Sequence, residues 1–130
     1  MKKLILLAAI ALGSGLGGGL RYGLDWTVSQ ISMVSFPFAT LFINLSGSLL
    51  IGYLAGLWAT GDKQTVSPLK WHFWITGLCG GYTTFSAFSW QAVQLVQAGE
   101  GTIAGAYAAG SVGLGLIAVG VGMSVALRST

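Results

Sequence analysis

The stretch GLCGGYTTFSAFS, residues 77–89, decides how this chain folds. It lies in an apolar segment long enough to cross a lipid bilayer, yet it carries helix-breaking glycines, five hydroxyl groups and two phenylalanines. Phe85 and Phe88 are three residues apart, as are Ser86 and Ser89, so aromatic and hydroxyl faces would run side by side on a helix. The stretch predicts a membrane helix that is interrupted and turned toward protein.

The composition around this stretch is that of an integral membrane protein. Of the 130 residues, 54% are hydrophobic and 7% are charged, whereas soluble domains carry about 25% charged residues. The net charge of +3 comes from scattered basic residues, so nucleic-acid binding has no support and no nucleic-acid partner is expected. We expect lipid to be most of the solvent.

Four apolar stretches divide the chain, each near the ~20 residues that cross a bilayer as a helix. We therefore predict an all-α integral membrane protein whose single four-helix transmembrane domain covers residues 1–130. The third helix should be broken near Gly80 and Gly81, and Gly99–Gly101 should form a tight hairpin. The predicted spans are about 4–20, 38–59, 71–98 and 102–127.

Small residues at four-residue spacing predict where the helices pack, because membrane helices associate through close backbone approach. The predicted packing faces are Gly13 with Gly17, then Ser48, Gly52 and Gly56, and in the fourth helix Ala106 with Gly110 and Ala109 with Gly113.

All three acidic residues, Asp25, Asp62 and Glu100, fall in predicted loops or at span ends. A small proton-coupled exporter of cationic drugs, the alternative function for a chain of this length, needs a carboxylate at membrane depth. Its absence disfavours that alternative, and no residue pattern indicates an enzyme.

The polar groups inside the spans are neutral and rich in hydrogen-bond donors. Donors can replace part of an anion's hydration shell without a fixed charge that would trap the ion, and the positive rim of a phenyl ring can add weak contacts. The same groups could instead bond their own helices, with Asn44 joining two of them. The broken helix would also free carbonyls that attract a cation. These polar residues are Asn44, Ser46, Ser48, Thr83, Thr84, Ser86, Ser89, Tyr107 and Ser111.

Three motifs resemble the Fluc (CrcB) family of fluoride channels over essentially the whole chain. They are GSGLGGGLRY (13–22), ATLFINLSGSLLIG (39–52), in which Ala39 replaces the family's usual glycine, and the opening stretch. The resemblance implies a passive fluoride channel of the bacterial inner membrane, built as an antiparallel dual-topology dimer with two pores at its interface.

The resemblance also implies roles for individual residues. Gly80 and Thr83 would hold a structural sodium ion at the dimer axis through backbone carbonyls, and Arg21 would be a helix anchor or part of a vestibule. The implied pore-lining residues are Phe85, Phe88, Asn44, Thr84, Ser89, Tyr107 and Ser111.

An antiparallel homodimer requires both membrane orientations, yet the basic residues favour one. With the N-terminus inside, Arg21 alone would be outside, and a homodimer and a heterodimer with an oppositely oriented paralogue both remain open. The basic residues expected inside are Lys2, Lys3, Lys63, Lys70 and Arg128.

Overall fold

Most of the chain that the structure describes is helical. The computed structural model describes residues 1–31, 36–60 and 66–129, and these residues contain no strand. Asp62 and Lys63, predicted for the loop after the second span, lie outside the described residues. The elements are α1 (Lys2–Ile31), α2 (Phe38–Thr60), α3 (Pro68–Trp71), a π-helix (His72–Cys79), α4 (Gly80–Tyr82), α5 (Phe85–Gln97) and α6 (Gly101–Ser129).

Helices α1, α2 and α6 are long and apolar enough to cross a membrane. The third predicted span consists of α3, the π-helix and α4, which follow one another without a gap, and then α5. The expectation of four helical segments with an interrupted third is confirmed, and the chain is a multi-pass membrane protein.

Helix α1 is longer than the predicted span, because it continues past Arg21, Asp25 and Trp26 to Ile31. Charged residues end an apolar stretch, but none of these three breaks a helix. At this end the helix therefore extends beyond the stretch that was predicted to lie within the membrane.

The interruption of the third segment lies at Thr83 and Thr84 rather than at the predicted Gly80 and Gly81. Both threonines are extended, with ψ of 159° and 120°. Gly81 is helical, and its lack of a side chain serves packing instead, since a Cβ there would collide with the backbone of Ser14. The expectation of a break near the middle of the third span is confirmed, but the break lies three residues after the glycines that were expected to form it.

Glycines bring the helices into backbone contact, as predicted for the first two faces. A Cβ on Gly17 would collide with the carbonyl of Leu78 and come within 2.7 Å of the Tyr82 nitrogen, so α1 packs directly on the first half of the third segment. In the same way Gly52 lies against Val119, which joins α2 to α6.

The predicted faces of α6 do not pack inside the subunit. A Cβ on Gly110 or Gly113 would meet nothing within 4 Å, whereas Gly122 and Ala126 are buried and carry the contact with α2. Within one subunit these two faces have no packing partner among the described residues, so the prediction that they are packing faces stays a prediction.

The predicted hairpin between α5 and α6 is confirmed. Gly99 has φ of 82°, a conformation that glycine adopts without a steric penalty. Its N–H donates to the Val96 carbonyl at 3.0 Å, and the Glu100 N–H donates to the Leu95 carbonyl at 2.9 Å. These two bonds satisfy carbonyls at the end of α5, the pattern of a Schellman motif.

Candidate functional site

The side chain of Asn44 holds the interruption of the third segment in place. Its Nδ2 donates to the Thr84 carbonyl at 3.0 Å, and its Oδ1 accepts from the Thr84 N–H at 2.8 Å. A primary amide is the side chain that can both donate to and accept from one residue's backbone. From α2, Asn44 therefore supplies an acceptor to the Thr84 N–H, which the interruption leaves without its helical acceptor, and a donor to the Thr84 carbonyl.

The hydrogen bonds around Thr84 release two carbonyls from the helical ladder. In a continuous α-helix the Thr84 N–H would donate to the Gly80 carbonyl, and the Ala87 N–H to that of Thr83. Here the first donates to Asn44, and the second donates to Thr84 Oγ1 at 3.1 Å. The carbonyls that lose these donors are those of Gly80 and Thr83, the two that were expected to hold a cation.

A cavity of about 440 Å³ opens beside the interruption. Its walls come from α2 and from both halves of the third segment. Five of the residues that line it are predicted site residues: Asn44, Gly80, Thr83, Thr84 and Phe85. The structure therefore brings the predicted cation position and one predicted pore phenylalanine to the same cavity.

The two phenylalanines of the third segment differ in their surroundings. Their ring centroids are 5.5 Å apart, with 49° between the planes. Phe85 is 78% exposed on the surface of the subunit, whereas Phe88 packs against Tyr107 with centroids 5.3 Å apart. Phe88 is anchored, and Phe85 presents its ring to whatever lies outside the subunit.

Tyr107 and Ser111 lie four residues apart on α6, on one face of the helix. The Tyr107 side chain is buried, and its hydroxyl donates to Gln91 Oε1 at 3.0 Å. The Ser111 hydroxyl is also buried, but it has no hydrogen-bond partner among the described residues. A buried hydroxyl without a partner costs free energy, so this donor calls for a functional explanation.

Ser89 and Arg21 stand apart from this group. The Ser89 hydroxyl donates to the Phe85 carbonyl at 2.9 Å, a bond within its own helix. Arg21 lines a second cavity of about 290 Å³ together with Asp25 and Gln91. Thr84 lines both cavities, so the interruption separates the Arg21 side of the subunit from the Phe85 side.

Sequence reasoning missed Gln91 and the pairing of Ser46 with Tyr82. Gln91 follows Phe88 by three residues. An amide side chain within an apolar helix is the sequence feature that could have indicated it as a site residue. The Ser46 and Tyr82 hydroxyls are 2.9 Å apart, joining α2 to the end of α4. Among the described residues, no group of three His, Cys, Asp or Glu side chains could hold a metal.

Comparison with known proteins identifies the family. Residues 8–123 match the family model described as CrcB-like protein, Camphor Resistance (CrcB). A relative from Paramagnetospirillum magneticum, named fluoride-specific ion channel FluC, is 44% identical over 92% of this chain and 93% of its own. The protein of the same name from Flavobacterium psychrophilum is 48% identical over 90% of this chain and 93% of its own. Because the family model and both relatives cover most of its length, the chain belongs to the CrcB family.

Proposed function

We propose that this chain forms a passive, fluoride-selective channel of a bacterial inner membrane that lets cytoplasmic fluoride leave the cell. Relatives that share more than two fifths of its residues are named fluoride-specific ion channels. A channel binds and releases an ion without making or breaking covalent bonds, so the protein is not an enzyme.

The observation that carries the proposal is the buried, unpartnered Ser111 hydroxyl. It lies one helical turn from Tyr107, on which Phe88 packs. A hydroxyl with no protein acceptor can donate to a small anion that has shed water, and the rims of Phe85 and Phe88 add weak positive contacts. Neutral contacts of this kind stabilise the ion without trapping it, as conduction requires.

The direction of transport follows from proton equilibria and the membrane potential. The weak acid HF crosses membranes of acidified cells and dissociates inside, which accumulates fluoride. An anion leak driven by the inside-negative potential then removes fluoride without coupling to another ion.

A second copy would complete the pathway. Phe85 faces outward from the subunit, and the faces at Gly110 and Gly113 have no partner within it. We propose an antiparallel dual-topology dimer with two pores at its interface, each lined by both copies. The partner is a second copy of this chain or an oppositely oriented paralogue.

The pore-lining set remains the predicted one, with roles that follow from the contacts. Phe85, Phe88 and Ser111 would contact the ion, Tyr107 would support Phe88, and Asn44 and Thr84 would shape the wall at the interruption. Ser89 would donate to the ion only after its hydroxyl breaks the bond to the Phe85 carbonyl. Arg21 would raise the local anion concentration in a vestibule.

A structural sodium ion fits the released carbonyls of Gly80 and Thr83. Sodium is a hard cation that prefers oxygen ligands, and these carbonyls lose their helical donors to Asn44 and Thr84. Two carbonyls from each copy would hold the ion at the dimer axis and neutralise partial charge there. Dialysis against sodium-free buffer should therefore weaken the dimer, measured by size exclusion, and full flux without sodium or a substitute cation would refute the site.

Ion flux from liposomes tests the function. Purified protein should release fluoride and retain chloride, and Phe88→Ile should reduce fluoride release because a branched alkyl group has no positive rim. Equal passage of both halides would defeat the selectivity claim, and unchanged fluoride flux in Phe88→Ile would defeat the aromatic one.

A further inference from the structure

An apolar groove of about 440 Å³ lies between α1 and the start of the third segment, away from the interruption. Its α1 side is formed by Ile5, Ala8, Ala9 and Leu12, and its opposite side by Leu69, Lys70, Phe73 and Trp74. Farther along α1, Gly13 is in backbone contact with Phe73. The two helices are therefore in backbone contact at the glycine, and the groove opens beside this contact where Ala8 and Ala9 face Phe73 and Trp74.

One end of the groove is cationic. Lys70 is exposed and is the one charged residue among those that line it. Lys2 and Lys3 occupy the first turn of α1, and Lys2 lies three residues before Ile5, another lining residue. Residues three apart share a helix face, so positive charge gathers where α1 begins.

Aromatic side chains place this cationic end at the depth of lipid headgroups. Trp71 follows Lys70 and contacts Trp58 of α2, with ring centroids 5.7 Å apart. Tryptophans concentrate at the membrane–water boundary. Trp74, 42% exposed, lies about one turn deeper in the groove.

We propose that this groove binds one anionic phospholipid, with an acyl chain against Ala8 and Trp74 and the headgroup phosphate at Lys70. The combination of an apolar groove with basic residues at its interfacial end matches the way membrane proteins hold anionic lipids between helices. The site is independent of ion selectivity, since none of its residues lines the cavity at the interruption.

Bromine quenching of Trp74 fluorescence tests the proposal. Protein is reconstituted in vesicles of one fixed mixture of phosphatidylglycerol and phosphatidylcholine, with brominated acyl chains on one lipid or on the other. The Trp74 signal is the difference between the wild type and Trp74→Phe. We expect bromine on phosphatidylglycerol to quench Trp74 beyond that lipid's share of the mixture.

Lys70→Gln should lower this preference about fivefold, the factor expected for one basic residue at an anionic lipid surface. Arg128→Gln is the matched control: Arg128 is a basic residue in the last turn of α6, a helix that does not pack against α1 in the described residues. It should leave the preference unchanged. Ala8→Leu, which fills the groove, should reduce quenching by both labelled lipids.

Three results would overturn the lipid site. Quenching of wild-type Trp74 in proportion to bulk composition would show no selectivity. An equal effect of Lys70→Gln and Arg128→Gln would show that only total charge matters. Protection of Trp74 from both labels would show that a second copy of the chain covers the groove.

Discussion

Asn44 is the residue on which the geometry of the interruption depends most directly. Its amide pairs with both backbone groups of Thr84, and this pairing keeps the Thr84 N–H away from the Gly80 carbonyl. One side chain in α2 thus accounts for the loss of the helical donor of the Gly80 carbonyl.

Replacing Asn44 with leucine should destabilise the protein and reduce fluoride flux. The substitution leaves the Thr84 N–H and carbonyl without this partner, at about 1–3 kcal/mol for each unsatisfied buried group. Denaturant titration of purified protein in detergent measures the loss. Gln94→Leu makes the same chemical change on an exposed side chain of α5 and should have little effect; equal losses in both variants would contradict the role given to Asn44.

Alanine substitutions at Ser111 and Ser89 allow an effect on conduction to be distinguished from an effect on stability. Because the Ser111 hydroxyl has no partner among the described residues, Ser111→Ala should leave the free energy of unfolding unchanged or raise it. It should also lower fluoride flux about tenfold or more, since a hydrogen bond to a charged group contributes about 1.5–3 kcal/mol.

Ser89→Ala removes a hydroxyl that donates within its own helix, so flux should fall less than in Ser111→Ala. Liposome flux and denaturant titration on both variants decide the point. Wild-type conduction by the Ser111→Ala protein would contradict the role in ion binding that the functional proposal gives to Ser111.

At the scale of elements, backbone contact between α1 and the third segment fixes their separation. Gly17 is buried against Leu78 and Tyr82, whereas a Cβ on Gly19 of the same helix would meet nothing within 4 Å. Substituting each of the two glycines with alanine therefore distinguishes the effect of the interhelical contact from the effect of helix propensity.

Gly17→Ala should lower the free energy of unfolding by about 1–3 kcal/mol, the usual cost of overpacking. Gly19→Ala should be neutral or stabilising by up to about 1 kcal/mol, because alanine favours the helix. Thermal unfolding in detergent compares them. If both variants unfold at the same temperature, the helices can separate without penalty and the contact is not a constraint.

The interrupted third segment shows what sequence could and could not predict at this scale. Glycines and hydroxyls in residues 77–89 indicated an interruption, and turn chemistry correctly placed the hairpin at Gly99. The position at Thr83 and Thr84 depends on Asn44, forty residues earlier in the chain, so local propensity pointed to the glycines instead. The faces at Gly110 and Gly113 were predicted as packing faces, but spacing does not reveal which chain packs on such a face, and within one subunit nothing does.

The same limit applied to the candidate site. Residue types indicated the phenylalanines, Asn44 and Ser111, but only the folded chain distinguishes the unpartnered Ser111 hydroxyl from that of Ser89. Gln91 was missed because its role comes from contact with Tyr107 across two helices.

For the whole molecule, the decisive property is orientation in the membrane. A cysteine at Ser129, an exposed residue at the end of α6, reports the side on which that end lies. The native Cys79 is buried and should react little, and a Cys79→Ala background removes it. Because an antiparallel homodimer needs equal numbers of the two orientations, an impermeant maleimide should label about half of the molecules in intact cells, even though the basic residues favour one orientation.

Labelling of none or of all molecules from outside would establish a single orientation. An antiparallel homodimer would then be excluded, and the partner would have to be a paralogue of opposite orientation. Removing Lys2 and Lys3 should change the labelled fraction if the amino-terminal charges set the balance.

The turn between α5 and α6 bears on how the chain is made. Its three residues, 99–101, include one charged side chain, that of Glu100, and no lysine or arginine. Cytoplasmic retention during insertion is governed by lysine and arginine, and acidic residues contribute little. This helical hairpin therefore carries no basic residue that would retain it on the cytoplasmic side, and the lysines and arginines that influence insertion lie elsewhere along the polypeptide.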